Sequence, residues 1–215
     1  MTDTRSFILD FFNKLNDSGI RYVLLRNIGN ELPDNYQKGK KDIDLLVHPN
    51  DRSKLHSFMK KNKLVSWPHP LDKGSGLEYL YAVYPFEFYK KDGYYFDICY
   101  QMVCKSPNAG EYMPVDMLIN TSVWENRRLD GEYPWYRLSD EDLMVHLLTR
   151  CIFDKKKFTT EYKNELIKLN QTSDKVKLKL KLKTVFFKYS DTLLKKIETG
   201  QYDNIINSYL SFIEY

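Results

Sequence analysis

Two aspartates one residue apart, Asp42 and Asp44, interrupt the apolar run GKKDIDLLVH at residues 39–48. In an extended strand, residues i and i+2 project to the same side. Both carboxylates then share one face, while Ile43, Leu45 and Val47 take the other. Like charges that close repel, and desolvation adds to the cost; a cation or a proton relieves it. Paired aspartates are hard oxygen ligands of the kind Mg²⁺ takes, an ion that keeps waters and also binds substrate phosphates. The competing reading of D-x-D alone is a hydrated strand end whose acids are offset by Lys40 or Lys41. A third acid, Asp97, stands between Phe96 and Ile98 in YYFDICY and needs a partner there. That partner is either a lysine or the first two carboxylates.

Strands must hold these side chains, and the first half of the chain supplies candidates. Phe7, Ile8, Phe11, Phe12 and Leu15 recur at helical spacing over residues 5–17, and Gly19 closes the segment. IRYVLLR (20–26) reads as a strand and NIGNELPDNYQKGKK as a turn-rich loop. DIDLLVH is a second strand, followed after Pro49 by a helix over about 51–62. LVSWPHP predicts a short strand and LDKGSG a loop. LEYLYAVYPFEFYKKDGYYFDICYQ predicts a hairpin, with Asp92-Gly93 as its turn.

From about Leu138 the texture turns helical. Ser139 is a suitable N-cap for SDEDLMVHLLTRCIF, with acids in the first turn, and helical patterns continue at 158–169 and about 184–213. KVKLKLKLK (175–183) alternates with period two, yet Lys and Leu are good helix formers and helices flank it. Helix is the expectation, with its lysines on a solvated face. The chain is thus expected to be α+β, an α/β domain at 1–137 followed by a helical domain at 138–215.

With 215 residues, 42% hydrophobic and 15% aromatic, the chain can build a real core. A net charge of +4 suits an anionic substrate but falls short of a dedicated nucleic-acid binder. Three cysteines without CxxC spacing argue against a disulfide framework or structural zinc. No apolar run is long enough to span a bilayer, and the start is not built like a signal peptide. A cytoplasmic protein is the expectation.

Helix, strand, loop, D-I-D-L-L-V, helix and a later strand carrying a lone Asp together resemble the nucleotidyltransferase superfamily of the DNA polymerase β type. The aminoglycoside nucleotidyltransferases and the small bacterial MNT proteins share that minimal core. RYVLLRN…GKKDIDLLVHPND is also similar to bacterial nucleotidyltransferase-like proteins, some encoded in polysaccharide gene clusters. The resemblance covers roughly residues 5–100, and the helical half resembles the accessory helical domain more loosely. It implies a mixed β-sheet flanked by helices, with Asp42, Asp44 and Asp97 as both catalytic residues and ligands of Mg²⁺ or Mn²⁺. An NTP would be co-substrate, attacked in line at its α-phosphorus by a small-molecule acceptor such as a sugar-phosphate or glycan precursor.

The superfamily's Gly-Ser after the first strand is replaced here by Leu25-Arg26-Asn27-Ile28-Gly29. Arg26 and Asn27 can stand in as phosphate contacts, since a guanidinium fork suits phosphate. The same departure fits a different nucleotide-linked donor in surface polysaccharide assembly, or an MNT-like antitoxin or binding module without catalysis. Lys38, Lys40 and Lys41 either touch phosphates or offset the acids. Lys155 and Lys157 either reach the nucleotide or simply favour a helix C-terminus, and Tyr162 and Lys163 carry the same idea more weakly. Lys73-Gly74-Ser75-Gly76 fits an ordinary hairpin entry better than a phosphate loop. His146 reads as a core histidine, and His48, His56 and His69 have no mutual metal spacing. Tyr94, Tyr95 and Tyr100 could stack on a base or sugar, but packing explains them more simply.

Overall fold

The computed structural model describes residues 3–69, 78–79, 85–105 and 111–213. In chain order the elements are α1 (Thr4–Asp17), β1 (Tyr22–Leu24), β2 (Asp42–Val47), α2 (Arg52–Lys61), β3 (Val65–Trp67), β4 (Glu78–Tyr79), β5 (Glu87–Lys91) and β6 (Tyr94–Cys99). They continue with β7 (Val103–Lys105), β8 (Glu111–Pro114), α3 (Met117–Asn126), β9 (Arg128–Leu129) and β10 (Tyr136–Arg137). Then come α4 (Asp140–Thr149), α5 (Thr160–Thr172), α6 (Lys175–Phe186), α7 (Tyr189–Glu198) and α8 (Ile205–Leu210). The class is α+β, as expected. The chain forms two compact units, Met1–Gln101 with Arg127–Arg137, and Met102–Asn126 with Leu138–Tyr215. Residues 102–126 therefore belong with the helical unit, whereas the α/β stretch was expected to run unbroken to 137.

The first unit is built on a seven-stranded mixed sheet in the order β3-β5-β6-β2-β1-β10-β9. β2 runs parallel to β6 and antiparallel to β1, and β1 is parallel to β10. One face carries Ile43, Leu45 and Val47 of β2 with Tyr94, Phe96 and Ile98 of β6. Ile8, Phe11, Phe12 and Leu15 of α1 and Leu55, Phe58 and Met59 of α2 complete that core. Phe11 packs against both Phe58 and Phe96, ring centroids 5.7 and 4.2 Å away, so one side chain joins α1, α2 and the sheet. Burying each such side chain is worth about 1.5–3 kcal/mol. A second tie crosses at Glu87, which accepts from Arg52 Nε at 2.8 Å and from Tyr100 Oη at 2.7 Å, and lies 2.8 Å from the His56 ring.

β5 and β6 form a hairpin whose two turn residues both lie in the left-handed region, Asp92 at φ 48° and Gly93 at φ 83°. That is the turn Asp-Gly favours between twisted strands. Of the expected first arm, Leu77 and residues 80–84 lie outside the described residues, with Glu78–Tyr79 between them forming β4; the LDKGSG loop, with Lys73, Gly74, Ser75 and Gly76, lies outside them as well. The loop before β2 is tied to this hairpin: Gly39 N–H donates to Gly93 C=O at 2.8 Å, and Tyr36 Oη donates to Lys41 C=O at 2.6 Å. Tyr95 N–H donates in turn to Tyr36 Oη at 3.2 Å. Lys38 sits with Nζ 4.6 Å above the Tyr94 ring, so its charge is spent on a cation–π contact.

In the second unit β7 and β8 pair antiparallel, and α4 packs on α5 and α6. Ser139 caps α4, its hydroxyl accepting from Asp142 N–H at 3.1 Å. Residues 150–154 continue α4 as a π-helical turn. The period-two segment is helical throughout: Leu178, Leu182 and Phe186 are buried at i, i+4, i+8, while Val176 and Leu180 face outward. Its N-cap is Asp174, which accepts from Val176 and Lys177 N–H. The expected helix over 184–213 is instead broken at Phe187 (φ 49°) and at Gly200 (φ 71°). An apolar cavity of about 410 Å³ in this unit is lined by Cys104, Met113, Ile152, Phe153, Val185 and Tyr209. Cys99, Cys104 and Cys151 form no disulfide.

Candidate active site

The parallel pairing of β2 with β6 sets Asp44 directly beside Asp97, and Asp42 beside Tyr95. Strand alternation turns Asp42, Asp44 and Asp97 away from the core face, as the spacing of 42 and 44 predicts. One oxygen from each of the three carboxylates lies within 4.8 Å of the other two. The structure thus gathers residues more than fifty positions apart in sequence into one acidic cluster. All three are partly buried, which makes their mutual repulsion stronger than on an open surface.

The electrostatics show that strain. The Asp42 carboxyl is held above the usual carboxylate range by burial first and then by the charges of Asp44 and Asp97, with Arg26 pulling the other way. Arg26 follows β1 and donates from Nε to Asp44 Oδ2 at 2.7 Å. Both side chains are mostly shielded, with exposures of 22% and 15%. At the strand end, Leu25 N–H donates to Asp44 C=O at 3.0 Å, which fixes the backbone from which Arg26 reaches the acid.

His69 was not expected here. Its Nε2 lies 3.3 Å from Asp97 Oδ2, and its ring leans on Phe86 and Phe88. Phe88 is the register partner of Asp97 on one side and of Trp67 on the other, so the histidine two residues past Trp67 is placed by the β3–β5 and β5–β6 pairings together. No local motif announces the contact. Only the lone histidine after a short strand, flanked by prolines, hints at a placed ring.

The remaining expected site residues divide. Asn27 is spent on its own loop: its Nδ2 donates to Leu32 C=O at 3.1 Å, and its Oδ1 accepts from Leu32 N–H at 2.8 Å. Lys41 pairs with Glu31 at 2.8 Å, and Lys40 is exposed in the turn before Asp42. Lys155 and Lys157 are exposed residues of the second unit, just after the π-helical turn, where Lys155 Nζ lies 5.5 Å from the Tyr162 ring. Lys163 pairs with Asp203 at 2.6 Å. Tyr94 and Tyr100 are buried in the first unit, Tyr94 stacked on Phe7, which removes them as stacking surfaces for a base. His146 is buried on α4, as a core histidine should be. A cleft of about 700 Å³ between α1 and α2 is lined by Lys14, Lys54, Lys61 and Phe58 among others and contains none of the three acids. Among the described residues no helix is long and apolar enough to cross a membrane.

Neither a protein family nor a curated protein matches the sequence. One solved structure that is similar is the solution structure of the antibiotic-resistance factor ANT(2'')-Ia, described as revealing substrate-regulated conformation dynamics. It aligns at a TM-score of 0.47 and 10% identity, over 97% of this chain and 100% of that one. At that distance the chemistry has to be read from the side chains themselves.

Proposed function

We propose that this chain transfers an NMP group from an NTP to the hydroxyl of a small-molecule acceptor, such as a sugar-phosphate or glycan precursor, with Mg²⁺ or Mn²⁺ as cofactor. The observation that carries the reading is the convergence of Asp42, Asp44 and Asp97 on one sheet face, with an oxygen of each within 4.8 Å of the others. Three hard oxygens at that spacing, with the ionised form of Asp42 disfavoured by burial first and then by its neighbours' charges, suit a divalent cation. When bound, the cation supplies charge neutralisation at the phosphate oxygens and a template for in-line attack.

The chain's own groups supply the rest. Asp42 and Asp44 from β2 and Asp97 from β6 would together hold the cation. Asp97, with the His69 ring hydrogen-bonded behind it, holds its orientation beside them and takes the proton of the acceptor hydroxyl. The acceptor oxygen forms a bond to the α-phosphorus as the bond from that phosphorus to the pyrophosphate bridge oxygen breaks, leaving NMP-acceptor and pyrophosphate. Lys40, on the exposed turn, offers a cation to the outgoing pyrophosphate. A cytoplasmic setting, where NTPs and reduced cysteines coexist, belongs to the same reading.

The test is pyrophosphate release with a panel of NTPs and hydroxyl-bearing sugar phosphates. Activity is expected in the wild type and a fall of about 10²-fold or more in Asp44→Asn and Asp97→Asn, the usual cost of removing an electrostatic group from a reacting centre. Equal rates in all three proteins would overturn it. The Arg26–Asp44 pair, at the position where the superfamily has Gly-Ser, favours a second reading in which the donor is another nucleotide-linked compound. CDP- and UDP-linked donors in the same panel separate the two by the leaving group released.

A further inference from the structure

We propose that the apolar cavity of the second unit is a binding site for a single-chain amphipathic anion, with its hydrocarbon inside and its carboxylate at the lysines of the mouth. The acidic cluster belongs to the first unit, so the two sites are tested independently.

Four parts of one unit wall the cavity: the β7–β8 pair, the π-helical turn at 150–154, the end of α6, and α8. Met113, Ile152, Phe153, Val185 and Ile206 line it. Burial first, and then the charge of Asp154, pushes the Cys104 thiol in the same wall up to about 12, as apolar surroundings require. A space of about 410 Å³ falls in the range of small-molecule sites. A methylene takes about the space of a water molecule, roughly 30 Å³, so a chain of about a dozen carbons fills it.

The apolar lining continues outward. Phe187 and Leu210 also line the cavity, yet they are 62% and 74% exposed. Phe187 in addition holds φ 49°, a left-handed backbone that disfavours any residue with a Cβ. One ring at the mouth thus combines backbone strain with apolar exposure, and a hydrocarbon chain entering past it would cover it.

Charge at the rim selects the head group. Lys105 and Lys156 line the cavity, and among the described lining residues Asp116 is the one acid. Asp116 is engaged by α3, accepting from Leu118 N–H at 2.7 Å. Lys105 Nζ lies 5.5 Å from the Tyr112 ring, and Lys156 is exposed just after the π-helical turn. Two cations facing one engaged acid favour an anionic head over a cationic one.

The test is calorimetric titration of the full chain with octanoate, decanoate and dodecanoate, each below its micelle concentration. Affinity is expected to rise about fourfold for each added methylene, the factor that burying one CH₂ gives. Decanoate is expected to bind about tenfold more tightly than decyltrimethylammonium, and Lys156→Glu to weaken decanoate about fivefold without changing decanol. Phe187→Gly, which relieves the left-handed strain, is expected to keep or raise the thermal midpoint while weakening decanoate about fivefold through lost apolar contact. That loss cannot come from misfolding. Val185→Trp, which fills the space, is expected to abolish binding. No decanoate binding to the wild type, or equal affinity for decanoate and decyltrimethylammonium, would overturn the proposal. So would sedimentation showing a wild-type dimer that Phe187→Gly dissociates and decanoate leaves intact, because the exposed rim would then join two copies of the chain.

Discussion

Asp44 and Asp97 are register partners across the parallel strands β2 and β6, and each is approached by a different basic side chain, Arg26 on one and His69 on the other. Like charges placed opposite one another destabilise a sheet. Here the cost is offset from two sides by residues distant in sequence, and Asp42 bears what remains.

The residual strain at Asp42 makes its neutralisation stabilising when metal is withheld. Asp42→Asn in EDTA is expected to raise the thermal unfolding midpoint by about 3 °C, the shift that about 1 kcal/mol makes in a chain of this size. Saturating Mn²⁺ is expected to reverse the order, because the wild type then gains a ligand that the variant holds weakly. Differential scanning calorimetry with and without metal reads both. A lower midpoint for the variant in EDTA would show that the carboxylate holds structure rather than storing repulsion.

Acid stability should report on Asp51, a buried carboxylate at the head of α2. Burial pushes its pKa up, but hydrogen bonds from the Arg21 side chain and backbone, with Lys54 beside it, outweigh that and hold it at about 2. A folded-state pKa below the ordinary value of 3.8 means that its stabilisation is complete above pH 3.8 and is lost as pH falls toward 2. Asp51→Asn is expected to cost about 2 kcal/mol at pH 7, the scale of charged hydrogen bonds, and almost nothing near pH 2. Urea unfolding at the two pH values checks it; an equal loss at both would assign the effect to packing.

In the second unit, Lys181 ion-pairs with Asp142, which is 0% exposed and also accepts from the Ser122 and Ser139 hydroxyls. Breaking a buried pair from one side costs about 3–5 kcal/mol, because the other charge is left behind. Lys181→Ala is expected to lose that much, and Lys181→Ala with Asp142→Asn to recover part of it. Chemical denaturation of the two proteins decides, and no recovery in the double variant would refute the pairing.

The sequence made some of this legible because local spacing was enough. D-x-D put two carboxylates on one face, Asp92-Gly93 announced its turn, and Ser139 announced its cap. Arg26 was read as a phosphate contact, but its embrace of Asp44 depends on how β1 and β2 pair. His69 meets Asp97 through a sheet whose register nothing near residue 69 encodes. The lysine–leucine run is the helix that its residue types and flanks implied despite the period-two texture, and it buries Leu178 and Leu182 but not Leu180. β9 and β10 span two residues each, too short to leave a periodic signal, and so the return of the chain to the first unit after residue 126 could not be seen.

The most direct measurement is an anomalous difference map from crystals soaked in Mn²⁺ with a non-hydrolysable NTP. The expected result is a strong peak ligated by Asp42, Asp44 and Asp97, with the triphosphate beside it. A map with no manganese among these carboxylates, and the nucleotide absent or bound elsewhere, would contradict the assignment of this cluster as a nucleotidyl-transfer site.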